Sequence, residues 1–288
     1  MSIKNILLVH KRSAYELFGK KHIAESVRSD KVLRKEKKYF LESHKIHYAT
    51  LAYVEKVLKE KKITYKKVSR DQGVAYRQFD LIITVGGDGT FLRAATNIGR
   101  QYILGVNSAP AFSVGRFCTV TRKNFDKVLE KVLKGHFSVS PLHRLELTFS
   151  PSKRKYLALN DCLVTHQIPA DMARYIIKIG KKEEKQRSSG IWISTAVGSS
   201  GAMKSAGGKL LKETDKKFEY KPRELYQTRT GHYRLTGGIL SSRSEMTVLS
   251  LMPKGAVYID GSRQNVPFPY GSRLRIKISP NPVLRIRV

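Results

Sequence analysis

Three stretches of this chain carry residues that could do chemistry. The first is Gly86-Gly87-Asp88-Gly89-Thr90, which follows an apolar run over residues 81–85 and precedes Phe91 to Ala95, where apolar residues resume at helical spacing. A strand, a glycine turn and a helix start expose backbone N–H groups and the positive helix end together, which suits phosphate oxygens. Asp88 is the odd member. A carboxylate beside a phosphate is repelled unless it binds a metal ion or takes a proton from a hydroxyl about to be phosphorylated. The second stretch is Asn160-Asp161, an amide and a carboxylate able to grip a ribose diol or an amide, though such a pair in isolation is more often an Asx turn. The third spans residues 189–208. Ile191-Trp192-Ile193 leads there into Ser194-Thr195-Ala196-Val197-Gly198-Ser199-Ser200-Gly201-Ala202 and then Ser205-Ala206-Gly207-Gly208. Small hydroxyl and glycine residues at this density let a ligand lie against backbone, and a second glycine-rich turn beside a phosphate-binding domain implies a cleft between domains.

The elements that must position these stretches follow from apolar periodicity. Ile3, Ile6, Leu7, Leu8 and Val9 read as a buried strand, residues 63–68 and 80–85 as two more, and residues 102–106 as a fourth. Leu51, Val54, Val57 and Leu58 place an apolar stripe on a helix, and the charged residues 19–45 form a helix or a long surface loop over one edge. Asn107, Ser108, Ala109, Pro110 and Gly115 make a loop facing the same crevice as the glycine turn. Asn124 is the expected N-cap of a helix burying Phe125, Val128, Leu129, Val132 and Leu133, with Gly135 as its stop. This alternation predicts an α/β domain with a parallel Rossmann-like sheet over residues 1–138, its ligands outside the strand carboxyl ends. From residue 139 to 288 the period becomes twofold, as in Leu145, Leu147, Phe149 and Leu274, Ile276, Ile278. That half is expected to be an all-β antiparallel sandwich with most of its Arg and Lys on a wet face, and the last strand is a candidate to return to the first domain. Asp260-Gly261 and Pro280-Asn281 read as turns.

Among 288 residues, 55 Lys plus Arg against 23 Asp plus Glu leave a formal charge of +32. Such a field concentrates polyanions without selecting one, and a solvated basic surface is its ordinary meaning. RNA-binding aromatic signatures, zinc-finger spacing and a basic zipper are all missing, so no specific nucleic acid is expected. No apolar run approaches the ~18 residues of a membrane span, which together with the strand-like start predicts a cytoplasmic protein without membrane attachment. Cys118 and Cys162 stand far apart, outside ligand or disulfide spacing, and read as core thiols. His44 and His47 are three apart and could share a helix face as metal ligands, but no carboxylate pattern accompanies them and no protein metal site is expected.

The three motifs in this order resemble the NAD kinase family. Gly86 to Thr90 is similar to its Gly-Gly-Asp-Gly-Thr signature, Asn160-Asp161 to its Asn-Glu/Asp pair, and residues 194–208 to its Thr-Pro-Thr-Gly-Ser-Thr-Ala-Tyr and Ser-Ala-Gly-Gly stretch. Similarity runs from the first strand to Asp260-Gly261. Residues 11–17, Gly105-Val106-Asn107-Ser108 with Gly115, and residues 185–190 are closer to the divergent mitochondrial-type branch. No transit-peptide pattern precedes them, which points to a bacterial member.

The resemblance implies an NAD kinase/diacylglycerol kinase-like fold. It also implies transfer of a phosphoryl group from ATP or polyphosphate to the 2′-hydroxyl of the adenosine ribose of NAD(H), with Mg²⁺ or another divalent cation bridging the donor phosphates. Asp88 would accept the proton, while Gly86, Gly87, Gly89, Thr90 and Asn107 would surround the phosphates and dinucleotide. Asn160 and Asp161 would take the ribose and nicotinamide side, Arg187 would sit near the phosphates, and Ser200, Gly201, Ala202 and Ser205 would line the adenosine pocket. A homodimer or homotetramer is implied as well. Ala196 and Val197 depart from the family's Pro-Thr, Ala202 replaces its tyrosine, and Ser189 replaces an aspartate that reaches a neighbouring subunit's ligand. The alternatives are a lipid or sphingoid-base kinase of the same superfamily, which would need an apolar groove, and a catalytically inactive polyanion-binding homologue.

Overall fold

Ile6, Leu7, Leu8 and Val9 are fully buried, as are Leu81, Ile82, Ile83 and Val85, and unbroken apolar runs of this kind are what a parallel sheet covered on both faces requires. The computed structural model describes residues 3–18, 31–226, 232–261 and 264–287. They fall into two units, Met1–Ser140 with Val283–Val288, and Pro141–Pro282.

In the first unit, β1 (Asn5–His10) pairs in parallel with β2 (Thr64–Ser69) and β3 (Leu81–Gly86), and β3 in parallel with β4 (Tyr102–Asn107). The sheet order is β2, β1, β3, β4, β19 (Val283–Arg287), β6 (Ser138–Leu142), with the short β5 (Val120–Thr121) also on β4. The final strand thus adds to this sheet, in parallel with β4. Val283, Arg285 and Ile286 are all buried, so this strand is buried on both faces and does not alternate as the strands of the β-rich half do. Val288 lies outside the described residues. The helices are α1 (Ala14–Phe18), α2 (Lys31–Glu60), α3 (Asp88–Ala95) and α4 (Phe125–Leu133). The stripe Leu51, Val54, Val57 and Leu58 is the buried face of the last turns of α2, whose earlier turns take up residues 31–45 of the charged stretch. Residues 19–30 lie outside the described residues. Asn124 precedes α4 but does not cap it. Its Oδ1 accepts from Thr121 N at 2.7 Å and from Thr121 Oγ1, because the tight turn out of β5 presents those donors first.

The second unit pairs its strands antiparallel into two six-stranded sheets. One is ordered β11 (Lys182–Ser188), β10 (Ala173–Ile179), β15 (Met246–Ser250), β18 (Arg273–Ile278), β7 (Leu145–Ser150), β8 (Lys155–Ala158). The other is ordered β14 (Gly238–Ser241), β13 (Lys217–Pro222), β12 (Ile191–Thr195), β9 (Asp161–His166), β16 (Gly255–Ile259), β17 (Gln264–Pro267). Leu145, Leu147 and Phe149 point inward while Glu146 and Thr148 alternate outward. With Tyr175, Ile193, Phe218, Val257 and Ile276 they form one apolar core between the sheets. Tyr175 is tolerated there because its hydroxyl bonds Ser188 Oγ at 2.7 Å.

Phe125 is fully buried in the core of the first unit, packed with residues of α2, β4 and β5. Phe125→Ala is expected to destabilise by about 3–5 kcal/mol, the range for emptying an aromatic core site; chemical denaturation compared with the wild type measures it.

Candidate active site

Gly86 ends β3, and a Cβ there would lie 2.3 Å from Thr90 Oγ1, so glycine is what lets the helix start fold back under the strand. Thr90 Oγ1 is buried and has no hydrogen-bond partner among the described residues. Gly87 is extended and its carbonyl accepts from Thr90 N and Phe91 N at 2.9 and 3.3 Å, which starts α3 at Asp88. The first N–H groups of such a helix have no acceptor within it and face outward.

The Asp88 carboxylate is held by backbone. Oδ1 accepts from Phe117 N at 2.8 Å and Oδ2 from Arg116 N at 3.0 Å. Those amides are delivered by a loop that Asn107, at the end of β4, secures. Its Nδ2 donates to Ser113 O at 3.1 Å and its Oδ1 accepts from Ala109 N at 3.2 Å. Gly115, at φ +62, packs against that side chain so closely that a Cβ would lie 2.1 Å from Asn107 Nδ2. Asn107 therefore acts on Asp88 through the loop. Each carboxylate oxygen keeps a lone pair beyond its amide bond.

Parallel pairing also brings two cations to this sheet edge. Lys11 directly follows β1, with its N–H on Val85 O at 3.4 Å, and Arg70 follows β2, with its N–H on His10 O at 2.8 Å. Arg70 Nη1 stands 3.8 Å from where a Gly89 Cβ would be. Burial lowers the Lys11 pKa, and the Arg70 charge lowers it further, so an anion bound beside them would offset their repulsion and favour the charged lysine. Sequence reasoning reached Lys11 only through resemblance and missed Arg70. A basic residue just after a strand of a parallel sheet was the available signal.

The two histidines share a face of α2 but are engaged elsewhere. His47 donates Nε2–H to Lys11 O at 2.9 Å, and its pKa is pulled down to about 4 by burial first and Lys11 second, so it is neutral. His44 Nδ1 bonds Ser13 Oγ at 2.7 Å. They support the segment that follows β1, His47 through the Lys11 carbonyl and His44 through the Ser13 hydroxyl. Among the described residues no group of three or more His, Cys, Asp or Glu could hold a metal.

In the second unit the other two motifs form one structure. The Asn160 carbonyl accepts from Thr195 N at 2.9 Å and Ser194 Oγ at 3.1 Å, while Thr195 Oγ1 donates to Leu159 O at 2.6 Å. Gly198 passes so close that a Cβ would lie 2.2 Å from Asn160 O. A short 3₁₀ turn (Val197–Ser200) then leads to α5 (Ala202–Ser205), with Ser200, Gly201 and Ser205 exposed and Ala202 half-buried.

Asp260, which sequence reading places in a plain turn, organises this cluster. In the left-handed region at φ +48, its carboxylate accepts from Leu159 N, Asn160 N and Asp161 N at 2.8, 2.7 and 3.2 Å. Burial still raises its pKa to about 6 against the opposing pull of those amides and of Arg144. Asp161, buried at the start of β9, is raised to about 7 by burial and by Asp260. Arg144 is buried alongside and donates Nε–H and an Nη2–H to Asn281 O at 3.1 and 2.8 Å. Arg187 is not part of the cluster. It is exposed on β11, in the other sheet and opposite Arg174, whereas Asn160 lies at the far end of β12.

A family model described as the ATP-NAD kinase N-terminal domain matches residues 6–137. A probable NADH kinase of Oryza sativa subsp. japonica is 31% identical over 265 residues, covering 84% of this chain and 81% of that protein. An NADH kinase of Arabidopsis thaliana is 30% identical, covering 99% and 96%. Two crystal structures share the fold. One is an NAD kinase from Archaeoglobus fulgidus in complex with ATP, with a TM-score of 0.68 at 23% identity over 98% of this chain and 93% of that one. The other is a yeast NADH kinase complexed with NADH, with a TM-score of 0.69 at 16% identity over 100% and 84%.

The buried carboxylates give stability a definite pH dependence. With folded pKa values of about 7 and 6 against an unfolded value near ~4, the folded state holds protons that the unfolded chain has released. Stability from this pair therefore falls as pH rises from about 4 to about 7 and levels off above. Asp161→Asn should accordingly melt higher than the wild type at pH 8, with the gap closing as pH falls toward 5. Calorimetry across that range checks it, and a gap independent of pH would contradict the assignment.

Proposed function

The chain belongs to the NAD kinase family, and we propose that Asp88 is the general base with which it phosphorylates NAD(H), using ATP as donor and making NADP(H). The observation that carries this reading is a carboxylate fixed by the amides of Arg116 and Phe117 at the first residue of a helix whose free N–H groups suit phosphate. As the 2′-oxygen of the adenosine ribose attacks the terminal phosphorus, its proton passes to Asp88. The bond from that phosphorus to the bridging oxygen breaks, and ADP leaves with the electron pair. Lys11, Arg70 and the N–H groups at the start of α3 hold the transferring phosphoryl group, and their charge offsets the repulsion between Asp88 and phosphate.

On the dinucleotide, Asn160 and Asp161 take ribose hydroxyls and the nicotinamide side, and residues 200–205 take the adenosine side. Asp161, with a pKa of about 7, can accept or donate there at neutral pH. Ala202 offers no ring for adenine to stack on, a loss of about 1 kcal/mol on the scale of aromatic pairs. Arg187 is assigned to the phosphates by resemblance alone. Protein ligands at the glycine turn amount to one carboxylate among amides, which fits Mg²⁺ carried chiefly by the nucleotide's own phosphates. When bound, the ion would neutralise charge on the bridging oxygens. NADH is favoured as an acceptor at least equal to NAD, since the two plant relatives aligned over most of this chain are NADH kinases by name. A homodimer or homotetramer and a cytoplasmic setting belong to the same proposal.

The test crosses NAD and NADH with ATP and polyphosphate and follows NADP(H) formation by the purified protein. Asp88→Asn should lower turnover by about 10²–10⁴-fold, the usual contribution of a positioned base, while calorimetric binding of the dinucleotide stays close to wild type; an active variant would remove Asp88 from the role. Lys11→Met should instead raise the KM for ATP by about tenfold or more, as expected when a charge-assisted contact worth ~1.5–3 kcal/mol is lost, with kcat for the saturated enzyme less affected.

A further inference from the structure

In the second unit, the sheet containing β9 and β12 carries the Asn160 and Ser194 cluster. Apart from Arg187 on β11, which resemblance alone assigns to the phosphates, the outward face of the opposite sheet has no part in the proposed function. Three cavities run into one another on that face. One of about 480 Å³ is lined by Lys153, Lys155, Arg273 and Arg275 with Thr148 and Thr247. One of about 440 Å³ adds Lys178 and Arg243, and one of about 160 Å³ between them is lined by Lys178, Thr247 and Arg273 among others. Thr247 lines all three, so they form a single trough. Six cations border it against two carboxylates, Glu183 and Glu245, the latter 3.7 Å from Arg275.

Register turns the trough into an ordered array. Lys155 is opposite Thr148, Thr148 opposite Arg275, Arg275 opposite Thr247, and Thr247 opposite Lys178. Cation, hydroxyl, cation, hydroxyl and cation thus follow one another across five strands on one face. At the usual strand spacing successive cations stand about 10 Å apart, and the row is about 19 Å long. Such a row repels itself when empty and would be stabilised by a chain of anions laid across the strands. The ring that borders it, Phe149, is only 4% exposed and faces the core, so the trough offers no aromatic ring for stacking bases.

We propose that this trough binds a linear phosphate polyanion without bases, of the inorganic polyphosphate type, as a holding site separate from the site of phosphoryl transfer.

Its test measures binding of end-labelled polyphosphate by fluorescence anisotropy across a salt series. The variant Lys155→Gln/Arg275→Gln/Lys178→Gln is compared with a charge-matched control on the exposed face of α2, Lys35→Gln/Lys45→Gln/Lys59→Gln. The trough variant should bind at least about tenfold more weakly, with a salt slope smaller by roughly the three contacts removed, whereas the control keeps most of its affinity. All six positions are exposed, so both variants should fold, and both should phosphorylate NAD(H) with ATP at the wild-type rate. Equal losses in the two variants would assign binding to the general +32 field and overturn the trough. An oligonucleotide of matched charge that displaces the label equally well would overturn the base-free ligand and make the face a nucleic-acid surface.

Discussion

The pair of hydrogen bonds from Arg116 N and Phe117 N to the Asp88 carboxylate is the interaction on which the first unit is arranged. A carboxylate at the start of a helix could rotate freely and would be a poor proton acceptor without a fixed direction. The loop that fixes it depends on Asn107, which braces residues 109 and 113, and on Gly115, which accepts a left-handed backbone and close contact with that amide. Asn107 is placed in turn by β4 lying parallel to β3, so that Gly86 and Asn107 end together. Buried parallel strands, a braced loop and an aligned carboxylate form one dependent series.

The same series explains why positive charge gathers at this edge. Parallel strands end together, and the residues that follow β1 and β2 are Lys11 and Arg70. Asp71, 3.9 Å from Arg70 Nε, offsets only part of that charge. His47, neutral and bonded to the Lys11 carbonyl, braces the segment without adding to it.

The second unit carries the opposite imbalance in its interior. Asp161 and Asp260 are both buried, and the charge of Asp260 adds to the rise in the Asp161 pKa, with Arg144 the nearby counter-charge of Asp260. Buried carboxylates survive where other bonds require them, and Asp260 accepts three from the backbone of residues 159–161. That grip aims Asn160 and Asp161, while Ser194, Thr195 and Gly198 close the other side of the same backbone. Specificity of position is obtained here at some expense of stability.

Much of this architecture is legible in local sequence signals. The glycine turn after a buried strand, the switch from helical to twofold period near residue 139, and the three motifs in order are enough for the fold class and the family. Pairwise geometry between distant segments is not legible, because it arises from strand register and not from composition. Arg70 meets Gly89 only because β2 and β3 flank β1 in parallel. Asn124 reads as a cap but bonds the turn before it, since the competing donors depend on where β5 ends. Asp260 reads as a turn residue, yet packing of β16 against β9 brings its carboxylate under three amides a hundred residues away. The trough, too, comes from register, which lines up cations from β8, β18 and β10 that are scattered through the chain. The chemistry available can be read from the chain alone, because residue types and local periods are written in it. Which of those groups face one another emerges with the fold, because long-range pairing is set by the burial of whole sheets.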